Sequence, residues 1–186
     1  MWKVETRMQG GHAMKRFIII PLLATAALAA PSPAAAASRP ALGLGLGVVD
    51  PEDRDATLWS TINLRFPLGR RLIIEPEVGF WKNGEDFPGG EISEQDLNLG
   101  LNLLVDLGGD DLTFWVGAGV GAHFFETEVE VGDVEVDSET DTEFGLHLLG
   151  GIDYVLDGDL GLFAAVRYDI VEIDQAKVYG GLRVRF

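Results

Sequence analysis

The chain has 186 residues with 24 glycines, no cysteine, 47% apolar residues and a formal net charge of −16. That length suits one domain of ordinary size. Without cysteine there is no disulfide, thiolate metal site or cysteine nucleophile, and so acidic a chain is a poor partner for nucleic-acid phosphates.

The first 37 residues differ in character from the rest. Lys15-Arg16 precede an apolar stretch, Phe17 to Ala30, which passes through Pro31-Ser32-Pro33 into Ala34 to Ala37. A basic start, a short apolar centre and an A-x-A end predict a secretory signal peptide over 1–37, cleaved after Ala37. Broken by Pro21, the stretch is too short for a membrane helix. Met14 is the natural start of such a leader, so residues 1–13 are expected to be an over-long reading of the gene. Taking Lys3, Arg7, Lys15, Arg16 and Glu5 away from 14 basic and 30 acidic residues leaves 10 and 29, a net of −19 for the exported domain, 38–186.

Beyond the leader, apolar residues recur at every second position. Leu42-Gly43-Leu44-Gly45-Leu46-Gly47 opens the series, and Leu97 to Leu103 repeats it with Asn98, Gly100 and Asn102 between leucines. Such alternation predicts strands with two chemically distinct faces. Eight are expected: 41–49, 57–66, 71–80, 96–105, 112–124, 143–154, 160–170 and 176–186. Most have the length with which a tilted strand crosses a bilayer. The connections at 67–70, 106–111 and 155–159 are tight turns rich in Gly, Pro and Asp. Those at 50–56, 81–95, 125–142 and 171–175 are longer and more charged, the asymmetry of outer-membrane barrels.

One strand face carries only uncharged, mainly apolar side chains, such as Ile62, Leu64, Leu101, Leu146 and Val166. Aromatics fall at both ends of it: Phe66, Phe114, Tyr154 and Phe186 near the short turns, Phe80, Phe124, Phe144 and Tyr168 near the long connections. Two aromatic rings suit the two membrane interfaces. The opposite face holds Arg65, Arg71, Glu75, Glu77, Asp153, Arg167, Asp169, Lys177, Arg183 and Arg185, with Asn63, Asn98 and Asn102. These residues are expected to form an ion-paired, side-chain-filled lumen, for which an eight-stranded barrel has the right width. The expected fold is therefore an all-β, closed, antiparallel up-and-down transmembrane barrel of eight strands. Two alternatives remain. One is a soluble periplasmic barrel of lipocalin type with the leucines inside around an apolar ligand; the other is a narrow porin-like channel.

The ending Tyr179-Gly180-Gly181-Leu182-Arg183-Val184-Arg185-Phe186 resembles the C-terminal targeting strand of Gram-negative outer-membrane barrels. Size and strand count are similar to the OmpA/OmpX-type barrel family. The resemblance implies outer-membrane localisation and insertion by the barrel-assembly machinery, with Phe186 as targeting signal. It implies no particular activity.

The most unusual segment, Glu126 to Glu143, alternates carboxylates with Val129, Val131, Val134 and Val136 around a turn at Gly132-Asp133. It predicts a ribbon protruding beyond the membrane. Val131 would face Val134, Glu130 face Glu135 and Glu128 face Asp137, with a one-residue bulge to restore the parity of the strands below. Opposed carboxylates destabilise a ribbon, so Glu126, Glu128, Glu130, Asp133, Glu135 and Asp137 are candidate weak ligands for Ca²⁺ or Mg²⁺, against the plainer reading of a solvated acidic loop. His123 and His147 both point inward, but their four-residue offset predicts a separation of about 13 Å at strand rise. Glu143 lies near His123. No serine completes a nucleophilic set, so neither catalysis nor a cofactor is expected. The role expected is structural or interactive, through the acidic external loops.

Overall fold

The computed structural model describes residues 39–186 other than Asp53, Asp110, Gly132 and Asp133; the expected leader, 1–37, lies outside them. Eight strands follow in chain order: β1 (Ala41–Pro51), β2 (Thr57–Leu68), β3 (Leu72–Phe87), β4 (Gly90–Gly108), β5 (Leu112–Val131), β6 (Val134–Asp157), β7 (Leu160–Ile170) and β8 (Gln175–Arg185). Each pairs antiparallel with the next, and β8 returns to β1 in a ladder from Ala41↔Arg185 to Pro51↔Gln175. The sheet is thus a closed barrel in sequence order. Closure pairs the edges that an open sheet would leave bare, and every strand's two faces become an inside and an outside.

Parity decides which residues go where. Leu46, Leu58, Leu101, Leu146 and Val178 are 52–76% exposed. With their neighbours they form an apolar band around the barrel, far larger than the patches a soluble protein leaves open. Phe66, Phe114, Tyr154 and Phe186 are exposed at the short-turn end of this band, and Phe80, Phe144 and Tyr168 at the other. The soluble alternative requires the leucine rows to face inward, and they face outward.

At the short-turn end, Gly69 (φ 84°) and Gly158 (φ 48°) supply the left-handed residues of the tight connections. The ladder slips between Asp106 and Gly108, where the Asp106 carboxylate accepts the Gly108 N–H at 2.7 Å.

At the opposite end the long connections are mostly strand rather than loop. β3 and β4 run on through the expected loop 81–95, paired from Trp81↔Asp96 to Phe87↔Gly90 around a turn at Pro88-Gly89. β5 and β6 continue beside them to Val131 and Val134. Over 81–95 the alternation signal fades because polar residues such as Lys82, Asn83, Glu85, Ser93 and Glu94 fall on both faces, so no apolar row marks that part of the extension. β4 pairs with β5 along its full extended length, making a four-stranded sheet beyond the aromatic residues. The ladder of β5 and β6 shifts between Val129 and Glu130. Glu130 faces Glu135 as expected, but below the shift Glu128 faces Ser138 rather than Asp137.

Candidate functional site: the lumen and the acidic extension

The lumen is filled by side chains from all eight strands, β1 giving Ala41 and Val49 and otherwise turning Gly43, Gly45 and Gly47 inward. In an eight-stranded barrel, strands four apart are diametrically opposed, and three bonded pairs cross the full width. Arg65 on β2 donates to Asp153 on β6 at 2.5 Å. Arg167 on β7 donates to Glu77 on β3. Gln175 on β8 donates to Asp96 on β4 at 3.1 Å.

Around these struts the charges sort into two groups. Near the short turns, Arg65 also donates to Glu75 at 2.6 Å, and Arg183 donates to Asp153 at 2.6 Å and Asn63 at 3.2 Å. Nearer the long hairpins, Arg167 donates to Asp169 at 2.5 Å and Asn98 at 2.8 Å, and Lys177 donates to Asp169 at 2.5 Å. Arg167, Glu77, Asp169 and Lys177 have fully enclosed side chains. Ions taken so far from water persist only when paired and hydrogen-bonded, as these are.

Eight of the ten residues singled out as the interior network come together in this way. Arg71 and Arg185 do not: both are half-exposed at the short-turn rim, and among the described residues neither side chain makes an ion pair. They sit where the strands run out, so water solvates them instead of a carboxylate.

The histidines are closer than the offset implied. His123 pairs with Glu143 and His147 with Gly119 in the β5–β6 ladder, yet the two rings are 5.7 Å apart, edge to face. Strand rise measures backbone separation, while long inward side chains lean along the strand and meet in the narrow lumen. His123 Nδ1 turns to Asp96 at 2.9 Å, away from Glu143, which accepts the Glu172 N–H at 3.0 Å.

Sequence reasoning missed the aromatic part of the filling. Trp59, Trp81 and Trp115 all point inward and are at most 2% exposed, packed in one cluster with Leu104, Leu149, Phe163 and Tyr179. Lys177 Nζ lies 3.8 Å from the Trp59 ring centre, and the Arg65 guanidinium 4.4 Å from that of Trp115, so the indoles also face the cations. The signal was present: these tryptophans share the strand parity of Arg65, Glu77 and His123. Glycine makes their room. A Cβ on Gly79 would stand 1.9 Å from Trp59 Cη2, and one on Gly121 2.4 Å from His147 Cε1.

On the extension, Glu126 accepts from Gln95 at 2.5 Å, while Glu128 accepts from Ser93 at 3.2 Å and lies 3.6 Å from Lys82. Glu130 is exposed. Glu135 and Asp137 stand opposite Glu130 and Val129 in the β5–β6 ladder, and Asp133 lies outside the described residues. Among the described residues no three carboxylate or imidazole groups converge as metal ligands.

A family model for the outer membrane protein beta-barrel domain matches residues 20–186. The chain belongs to this family. Its place is the cell outer membrane, with the leucine band against lipid. The fold is similar to that of Neisserial surface protein A (TM-score 0.57, 17% identity, covering 79% of this chain and 96% of that one). It is also similar to a major outer membrane protein from Thermus thermophilus (0.59, 14%, 79% and 99%). The N-terminal barrel domain of Pseudomonas aeruginosa OprF is a third (0.54, 11%, 78% and 97%). A comparison with curated proteins finds no match.

Proposed function

We propose that this outer-membrane barrel is closed and non-catalytic, with a structural or interactive role exerted through the acidic sheet it holds outside the membrane. The observation that carries this reading is the extension of β3 to β6. Each strand continues about seven to ten residues past Phe80, Leu97, Phe124 and Phe144, on the order of 20–30 Å at strand rise. Glu85, Glu91, Glu94, Glu126, Glu128, Glu130, Glu139 and Asp141 line these lengths against Lys82. A paired sheet presents its charges in a fixed pattern, as a recognition surface requires.

The absence of catalysis is part of the proposal: His123 and Asp96 face Asn98 and Gln175 rather than a hydroxyl, and Ser60 is bonded to Phe80 O on the lipid side. Weak Ca²⁺ or Mg²⁺ binding along Glu126, Glu128, Glu130, Asp133, Glu135 and Asp137 also belongs to it, since the register sets Glu130 opposite Glu135 and like residues so opposed destabilise a ladder. So does recognition of the Phe186 end by the assembly machinery. The narrow-channel reading is disfavoured by the three struts across the lumen.

The test replaces residues 127–141 with a two-residue turn. The barrel is expected to fold and insert as before, while proteoliposomes lose most of their binding of polylysine; unchanged binding refutes a working acidic sheet. A Ca²⁺ titration that leaves hairpin mobility and the melting temperature unchanged removes the cation component.

A further inference from the structure

The enclosed charges do not balance. Near the short turns, Arg65 and Arg183 are paired with Glu75 and Asp153, two against two, while Asp106 at the rim accepts the Gly108 N–H. Nearer the long hairpins, Arg167 and Lys177 face three carboxylates: Glu77, Asp169 and Asp96.

The two histidines do not make up the difference. Arg167 Nη2 can only donate, and it donates to Asn98 Oδ1, which fixes that amide and turns Asn98 Nδ2 toward His123 Nε2 at 3.1 Å. A ring nitrogen that receives an N–H carries no proton itself. The His123 proton is therefore on Nδ1, donated to Asp96 Oδ2. Arg167 Nη2 also lies 2.9 Å from His147 Nε2, which by the same logic is bare, leaving the His147 proton on Nδ1 toward Asn102 Oδ1. Both rings are neutral. One negative charge is left over, and it falls on Asp96.

Asp96 is fully enclosed. Its Oδ2 receives His123 Nδ1–H and Gln175 Nε2–H, but its Oδ1 has no partner, and neither does Oε1 of the adjoining, equally enclosed Gln175. Bare oxygens on two enclosed residues that are bonded to each other, with one surplus charge and away from bulk water, suit a hard cation. We propose that Asp96 Oδ1 and Gln175 Oε1 hold one monovalent metal cation of the Na⁺ or K⁺ class. A divalent ion would overshoot the single surplus charge, and among the described residues no third carboxylate or imidazole converges there to hold it. The indole N–H groups of Trp59 and Trp81 are also buried without partners. Trp81 is the cross-strand partner of Asp96, and Trp59 that of Trp81. Waters completing the ion's shell would accept from these donors. The ion would complete the strut between β4 and β8, just below the base of the acidic sheet.

The test measures the unfolding midpoint of the refolded full chain in detergent micelles as Na⁺ or K⁺ replaces choline from 1 to 300 mM at constant ionic strength and pH. The expected result is a rise of about 5 °C, abolished in Asp96→Asn, which removes the charge but leaves every hairpin carboxylate. A wild-type midpoint that ignores the ion overturns the proposal. So does an Asp96→Asn response equal to wild type, which would assign the effect to the external carboxylates. Should Asp96→Asn fail to fold, the wild-type protein decides alone through the ¹⁵N resonance of His123 Nδ1. It is expected to shift as Na⁺ replaces choline and to saturate with the midpoint, whereas a resonance that does not move refutes the site.

Discussion

Arg167 and Glu77 lie 90 residues apart in the chain and are bonded across the whole width of the barrel, each with its side chain fully enclosed. Replacing Arg167 with Ala leaves Glu77 and Asp169 buried without their guanidinium. A loss of about 3–5 kcal/mol is expected, read from urea unfolding in lipid vesicles. Replacing Arg167 by Met and Glu77 by Leu together is expected to cost less than either change alone, because no orphaned charge remains at that strut.

Gly79 has a different kind of necessity. The Trp59 ring occupies the space where any Cβ at 79 would go. Gly79→Ala is expected to destabilise the barrel by about 1–3 kcal/mol. Gly79→Ala combined with Trp59→Leu should recover part of that loss, and urea midpoints compare the two.

Inward tryptophans make a sharp optical prediction. The emission of Trp59, Trp81 and Trp115 in the refolded protein should resist quenching both by brominated lipid and by iodide. A tryptophan introduced at Phe144, which is 85% exposed beside the lipid-facing band, should be quenched strongly by lipid.

The struts Arg65–Asp153, Arg167–Glu77 and Gln175–Asp96 also predict electrical silence. Planar-bilayer recordings are expected to show no large steady conductance, and a stable wide channel would be incompatible with a lumen so crossed.

Phe186 is exposed at the short-turn rim, and its N–H bonds to Pro40 O. Deleting it should leave refolding in detergent unchanged while lowering the amount of assembled barrel in cells, as judged by heat-modifiable migration of the membrane fraction.

Much of the barrel was legible because the physics behind it is local. Leu97, Leu99, Leu101 and Leu103 alternate with Asn98, Gly100 and Asn102, and the backbone pleat alone sends the two sets to opposite faces. The same parity gave eight of the ten interior charges. It failed at Arg71 and Arg185 because parity says nothing of depth, and at 81–95 because a sheet with polar residues on both faces has no apolar row to reveal it. It also set His123 and His147 too far apart, since spacing along a backbone does not measure how side chains converge.

What the sequence determined by itself is the set of residues facing inward: a pleated strand has only two sides, and between the two aromatic ends one side here carries no charge. Which inward residues meet was decided only by closure. Arg65 and Asp153 are 88 positions apart, and Gln175 and Asp96 are 79. Their contact exists because eight tilted strands bring opposite walls within reach of two side chains, a distance set by strand number and stagger and carried by no local pattern.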